Sequence, residues 1–190
     1  MSDFSEFFPA LQKALVRHLV DHAVRTDGPF TLASGAVSDW YIDARQTTFD
    51  GRGAVVVARC VLEVMHDSVT VVGGMTMGAD PIAVATAVVA GLEDRLVGAF
   101  SIRKQAKDHG AGGRLVGPVA VGDRALVVED TTTTGATLAD AIAVLRDEGV
   151  GVVQALAVVD RSGGNAGDVM KEVGVPYIAL VTPADLGVGE

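Results

Sequence analysis

Ala125-Leu126-Val127-Val128-Glu129-Asp130-Thr131-Thr132-Thr133-Thr134-Gly135 passes from an apolar run into two acids, four hydroxyls and a glycine, and a helix-patterned segment follows from Ala136. The apolar run predicts a buried strand over residues 124–128, and the segment 136–148 predicts a helix. The same order repeats on both sides. Before it come a helix over 53–66, a strand over 69–72, a helix over 81–93 and a strand over 96–102. After it come a strand over 151–159, a helix near 166–172 and a strand over 177–181. Strand alternating with helix predicts an α/β fold, with a parallel central sheet flanked by helices on both faces. Ligands in such folds bind at the carboxyl ends of the strands, so function is expected in the loops that follow them.

Upstream, Leu11, Ala14, Leu15, Leu19 and Ala23 recur at helical spacing, so residues 9–24 read as a helix, with Pro9 suited to its first turn. Residues 30–32 and 40–43 read as short strands separated by the turn-prone Ala33-Ser34-Gly35-Ala36. No repeat, low-complexity segment or polar linker breaks the chain. A single domain over residues 1–190 is expected, in which the first fifty form a small hood or flap on the sheet.

Composition narrows the partners. The 190 residues are 49% hydrophobic but only 5% aromatic, so the core must be built from Val, Ala, Leu and Ile. A net charge of −9 repels phosphate polymers and argues against a nucleic-acid partner, while small phosphates remain possible wherever cations are concentrated. Cys60 is the single cysteine and lies in an apolar run, which fits a buried thiol and allows no internal disulfide. The start Met1-Ser2-Asp3-Phe4-Ser5-Glu6 lacks the pattern of a secretory signal, and the apolar run 82–92 is well short of the roughly 20 residues that span a bilayer. A cytoplasmic protein without membrane contact is expected.

The acids and hydroxyls after the central strand have a joint chemical use. Backbone amides and hydroxyls of Thr131, Thr132, Thr133 and Thr134, with Gly135 permitting a tight bend, can cradle a phosphate monoester at the positive end of a helix. Glu129 and Asp130 offer hydrogen-bond acceptors one sugar-width away, so a ribose 5-phosphate fits both halves. Helix capping alone could also place a Thr and an acid there, but capping needs one Thr and not four. Two other phosphate motifs do not fit. Gly73 and Gly78 have P-loop spacing, yet Ala79 and Asp80 follow instead of Lys and Ser or Thr, and no G-x-G-x-x-G follows a strand.

This stretch resembles the hallmark of the type I phosphoribosyltransferases: an apolar strand, two acids, three variable residues and a Thr-Gly pair. The resemblance implies that Glu129 and Asp130 bind ribose hydroxyls, and that residues 131–137, including Ala136 and Thr137, hold the 5-phosphate of phosphoribosyl pyrophosphate (PRPP). It does not choose the acceptor base.

A second stretch does. Arg103-Lys104-Gln105-Ala106-Lys107-Asp108-His109-Gly110 concentrates positive charge in an acidic chain and leads into glycines at 110, 112 and 113. Cations on a mobile loop suit a leaving pyrophosphate, although charge patterning alone would also fit a solvated surface loop. The run closely resembles the flexible catalytic loop of orotate phosphoribosyltransferases. By that resemblance Arg103, Lys104, Lys107 and His109 contact pyrophosphate, with Lys107 catalytic beside Glu129 and Asp130. The family also implies Mg2+ held mainly by PRPP and water, and a homodimer whose 103–114 loop closes over the neighbouring site.

Phe30-Thr31-Leu32-Ala33-Ser34-Gly35 with Tyr41, and Val158-Val159-Asp160-Arg161, extend the likeness over most of the chain. They imply that Arg161 faces the orotate carboxylate, that Thr133 touches the base and that the Tyr41–Ile42 backbone borders it. Two positions depart from the pattern: Ala33 and Gly78 stand where many members carry lysine. Two rival functions follow the same residues, transfer to another base and a non-catalytic PRPP sensor. Arg161 argues against the first and the basic loop against the second.

Overall fold

The computed structural model describes residues 7–31, 35, 37–105 and 113–189. In chain order its elements are α1 (Phe8–His22), β1 (Val24–Arg25), β2 (Phe30–Thr31), β3 (Val37–Ser38), β4 (Tyr41–Ile42), α2 (Arg45–Thr48) and α3 (Gly51–Val64). The alternating part follows: β5 (Val71–Met75), α4 (Ala79–Leu92), β6 (Gly98–Ile102), β7 (Leu115–Val116), β8 (Arg124–Thr132), α5 (Ala136–Asp147), β9 (Gly151–Asp160), α6 (Asn165–Val173), β10 (Tyr177–Val181) and α7 (Pro183–Leu186).

The central sheet has the order β10-β9-β8-β5-β6-β7 and is parallel except for its short edge strand β7. From β5 the chain moves first to β6 on one side and then to β8 on the other. The loops after β5 and β8 therefore part at a topological switch point, where α/β sheets open a crevice for ligands.

Both faces are covered, as the near-continuous apolar strands require. Leu126, Val128, Leu156 and Val158 pack with Leu15, Leu19, Val57 and Ile82 of α1, α3 and α4. Ala125, Val127 and Ala155 pack on the other face with Leu138, Ile142, Leu145 and Met170 of α5 and α6. Each fully buried Leu or Ile contributes roughly 1.5–3 kcal/mol by leaving water, so these two layers hold the crevice rigid. At the amino end α1 is tied to the α2–α3 corner through His18, whose ring nitrogens lie 3.1 Å from Thr47 Oγ1 and 3.1 Å from Asp50 Oδ1. Asp50 also caps α3, accepting from the amides of Arg52 and Gly53.

The sequence reading ends the central strand at Val128, whereas β8 continues through Thr132. Its ladder pairs Glu129 with Ala157, Thr131 with Val159 and Thr132 with Asp160. The long neighbour β9 supplies backbone partners that outweigh the poor strand propensity of the acids. Strand β6 begins at Gly98 rather than at residue 96, and β7 was not anticipated: it pairs antiparallel with β6, Ser101 opposite Val116 and Ile102 opposite Leu115.

Candidate active site

The acids of the central motif sit on the last turns of ladder rather than on a free loop, so their positions are set by the sheet. Glu129 and Asp130 line a cleft of about 810 Å³ together with Arg45, the Met75–Ala79 segment, Lys104, Thr137 and Asp140. Burial pushes the Glu129 carboxyl up to about 7, with the hydroxyls of Thr137 and Thr132 opposing the shift. Its Oε2 is buried and has no hydrogen-bond partner among the described residues, an acceptor directed at something the chain does not supply. Burial also raises Asp130, opposed by backbone amides and by the Arg45 guanidinium.

The hydroxyls divide into two jobs. Thr132 is buried, and its Oγ1 accepts from the Gly135 amide at 3.1 Å, so this residue closes the turn. Thr131 is half-buried in the ladder, while Thr133 and Thr134 are exposed around the bend. Gly135 has φ 78°, and a Cβ there would lie 2.9 Å from the Ala166 backbone, so both conformation and space demand glycine. Ala136 and Thr137 then open α5; the Ala136 amide donates to Thr134 Oγ1 at 3.3 Å, and the amino-terminal end of the helix has the right polarity for a phosphate.

Across the cleft lies the turn from β5 to α4. Thr76 Oγ1 donates to Asp80 at 2.7 Å, and the Thr76 amide donates to the Ile102 carbonyl at 2.9 Å, which fixes the turn against β6. Gly78 lies directly against Asp130: a Cβ at 78 would be 2.3 Å from Oδ1. Arg45 also enters here. Its Nε donates to Asp43 at 2.7 Å, leaving part of the guanidinium facing the cleft and close enough to Asp130 to favour the ionised acid.

The end of the β6–β7 pair lies at the same rim. It is closed by Arg103 N donating to Arg114 O at 2.8 Å and by Arg114 Nε donating to Arg103 O at 2.9 Å. Arg114 further pairs with Asp140 at 2.9 Å, tying this end to α5. Lys104 lines the cleft, whereas Lys107 and His109 lie outside the described residues, as does Ala33.

Arg161 follows β9 immediately, and its Cζ stands 4.1 Å from the centroid of the Trp40 ring. Burial lowers its pKa, with the Tyr41 phenol acting in the opposite direction. Tyr41 is partly exposed beside Phe30, their ring centroids 5.8 Å apart, while the Ile42 side chain is buried in the core. Sequence reasoning missed Arg45, Trp40 and Asp140. Asp140 could have been found, because it lies one helical turn beyond Ala136 on α5. Nothing local marks Arg45 or Trp40, whose partners Asp130 and Arg161 are remote in the chain.

No family model matches the chain. A crystal structure of adenine phosphoribosyltransferase from Leishmania donovani, 13% identical, superposes with a TM-score of 0.65 over 97% of this chain and 83% of its own, a likeness of fold alone. A switch-point crevice with paired acids running into a Thr-Gly helix start, on this sheet, defines a type I phosphoribosyltransferase. The chain is 41% identical to orotate phosphoribosyltransferase of Streptomyces avermitilis over 92% of its length and 96% of the relative's, and 39% identical to that of Mycobacterium leprae over 94% and 98%. A crystal structure of the Mycobacterium tuberculosis orotate phosphoribosyltransferase in complex with PRPP is 32% identical, with a TM-score of 0.78 over 94% of this chain and 99% of its own. The chain belongs to the orotate phosphoribosyltransferase family.

Proposed function

We propose that the protein transfers the ribose 5-phosphate group of PRPP to orotate, forming orotidine monophosphate and pyrophosphate. The observation that carries this reading is the single crevice lined by the Glu129–Asp130 pair, by Ala136 and Thr137 at the start of α5, and by Lys104. Residues 131–137 anchor the 5-phosphate, the acids accept from the ribose hydroxyls, and Arg161 meets the orotate carboxylate, with Thr133 and the Tyr41–Ile42 backbone beside the base. The pyrimidine nitrogen displaces pyrophosphate at the anomeric carbon through a transition state with oxocarbenium character. Arg103, Lys104, Lys107 and His109 stabilise the departing charge.

Magnesium belongs to the same proposal. The carboxylate oxygens of Glu129 and Asp130 in the cleft are hard donors of the kind Mg2+ takes, and Mg2+ that keeps water and substrate oxygens as its main ligands would neutralise the leaving diphosphate. A homodimer is supported by Val84, Val88 and Leu92, which stand exposed at successive turns of α4, with exposed Leu96 beyond them. The 103–114 loop of one subunit would then reach the neighbour's cleft. A cytoplasmic location accords with the absence, among the described residues, of any helix long and apolar enough to cross a membrane.

The direct test is the loss of orotate's ultraviolet absorbance with PRPP and Mg2+ present and each omitted in turn; no loss in the complete mixture would overturn the reading. Arg161→Ala is expected to raise KM for orotate about tenfold, the cost of removing one charge-assisted contact, and to leave KM for PRPP within about twofold. Unaltered orotate use by that variant would remove Arg161 from the base site.

A pH effect follows from Glu129. In the unliganded protein its carboxyl titrates near 7, and hydrogen bonds from ribose hydroxyls favour the ionised form. PRPP binding below that pH therefore releases a proton, and affinity rises with pH until it levels off above about 7. For the unliganded fold the sign is opposite. The native state binds the extra proton between 4.5 and about 7, so this group's contribution to stability declines as pH rises through that window. Calorimetric titrations at about pH 6 in buffers of different ionisation enthalpy should show the proton release for the native protein and a smaller release for Glu129→Gln. Equal release from both would exclude Glu129.

A further inference from the structure

We infer that Trp40 is a positioning residue for orotate: it holds the Arg161 guanidinium by one face so that the edges stay free for a planar carboxylate. The inference rests on the proposed reading of Arg161 and adds a residue that reading does not contain.

Three observations support it. First, the guanidinium carbon lies 4.1 Å from the indole centroid, within the range of a cation–π contact and a separation at which a guanidinium stacks on an aromatic ring. The N–H donors of a guanidinium lie in its plane, so a face-on partner leaves them available. Second, no carboxylate competes for them from the adjacent residue. Asp160 Oδ1 accepts from the Ser162 amide at 2.7 Å and Oδ2 from the Tyr177 hydroxyl at 2.9 Å, so both oxygens of Asp160 are engaged on their own side. The Arg161 side chain makes no ion pair or hydrogen bond with another described residue.

Third, the indole is itself held. Ser38 Oγ donates to the Trp40 carbonyl at 2.8 Å, which fixes the backbone between β3 and β4. The segment after α7 also runs beside the ring: a Cβ at Gly189 would lie 3.2 Å from Trp40 Nε1. Trp40 thus has the C-terminal segment as well as Arg161 for neighbours. A pre-oriented fork loses less freedom on binding than a freely rotating one, which is how a residue that never touches the base can set affinity for it.

The test uses steady-state kinetics of Trp40→Phe, Trp40→Tyr and Trp40→Leu, with Arg161→Ala in parallel. KM for orotate should rise about twofold to threefold in the aromatic variants and about fivefold to tenfold in Trp40→Leu, following ring strength as a cation partner. Values of kcat and of KM for PRPP should stay within about twofold, a split that general damage to the fold does not produce. Trp40 is the only tryptophan, so its emission reports on the contact directly. Orotate should change that emission saturably in the native protein and not in Arg161→Ala.

If Arg161→Ala weakens orotate use while Trp40→Leu matches the native protein, the positioning role is wrong and the base-site reading stands. If Arg161→Ala has no effect, the reading beneath it fails instead. Parallel losses in kcat and in both KM values would reduce Trp40 to a structural role. Should Trp40→Leu not fold, native KM for orotate in both aromatic variants would overturn the proposal.

Discussion

Gly78→Lys is expected to lower kcat/KM for PRPP by about thirtyfold, a loss of roughly 2 kcal/mol, although it restores a charge that many family members carry at this position. The obstacle is not the backbone. Gly78 has φ −63° and ψ −39°, which any residue adopts. The obstacle is the first side-chain atom, which would stand 2.3 Å from Asp130 Oδ1 and 2.7 Å from its Cγ. The carboxyl must swing away, and in the proposed reading the ribose hydroxyls then lose an acceptor. It follows that Gly78→Ala should show most of the same loss, since both substitutions add the same Cβ. In a cycle with Asp130→Ala the two losses should be far from additive, because each removes the same carboxyl from the same place. Thermal unfolding should change little, the moved group being at the rim of the cleft and not in the core. A Gly78→Lys enzyme that uses PRPP as well as the native one would show that Asp130 does not hold the sugar.

That pairing explains how far the sequence could be read. The alternating sheet was legible because β8, β9 and their neighbours are long apolar runs punctuated by turn residues, and burial on both faces enforces that pattern. Strands β1, β3 and β7 were not legible, since two residues carry no period, and only their partners Ile42, Phe30 and Ile102 make them strands. The turn from β8 into α5 was legible as one contiguous motif from Glu129 to Thr137. Its division of labour was not: Thr132 turned inward to cap the Gly135 turn, which depends on the ladder running on to Thr132. Arg45 and Trp40 entered the site through tertiary approach to Asp130 and Arg161, for which no local spacing exists. The lysine absent at 78 also gained a physical reason, because this backbone brings Asp130 into the space a side chain would need.

Lys107→Ala should lower kcat by about a hundredfold, with a smaller change in KM for PRPP. The case begins with the charges of the cleft. Its lining contributes Glu129, Asp130 and Asp140 against Arg45 and Lys104, an excess of one negative charge when Glu129 is ionised, without counting the substrate's phosphates. Arg45 is already held by Asp43, and Asp140 by Arg114. In the proposed reading the described walls alone therefore do not stabilise a departing pyrophosphate: Mg2+ would supply part of the missing positive charge, and Lys107 is expected to supply more. The segment that carries Lys107 leaves the sheet from a fixed foot, closed by paired hydrogen bonds between Arg103 and Arg114 and tied to α5 by Asp140, and in the proposed dimer it reaches the neighbouring subunit's cleft. A cation brought in from a closing loop acts on charge that develops as the bond breaks, so its removal falls on kcat more than on binding. Lys107→Arg keeps the charge and should recover part of the rate. Single-turnover measurements with PRPP bound beforehand isolate the step; a native rate in Lys107→Ala under those conditions would place the needed charge on Arg103, Lys104 or His109 instead.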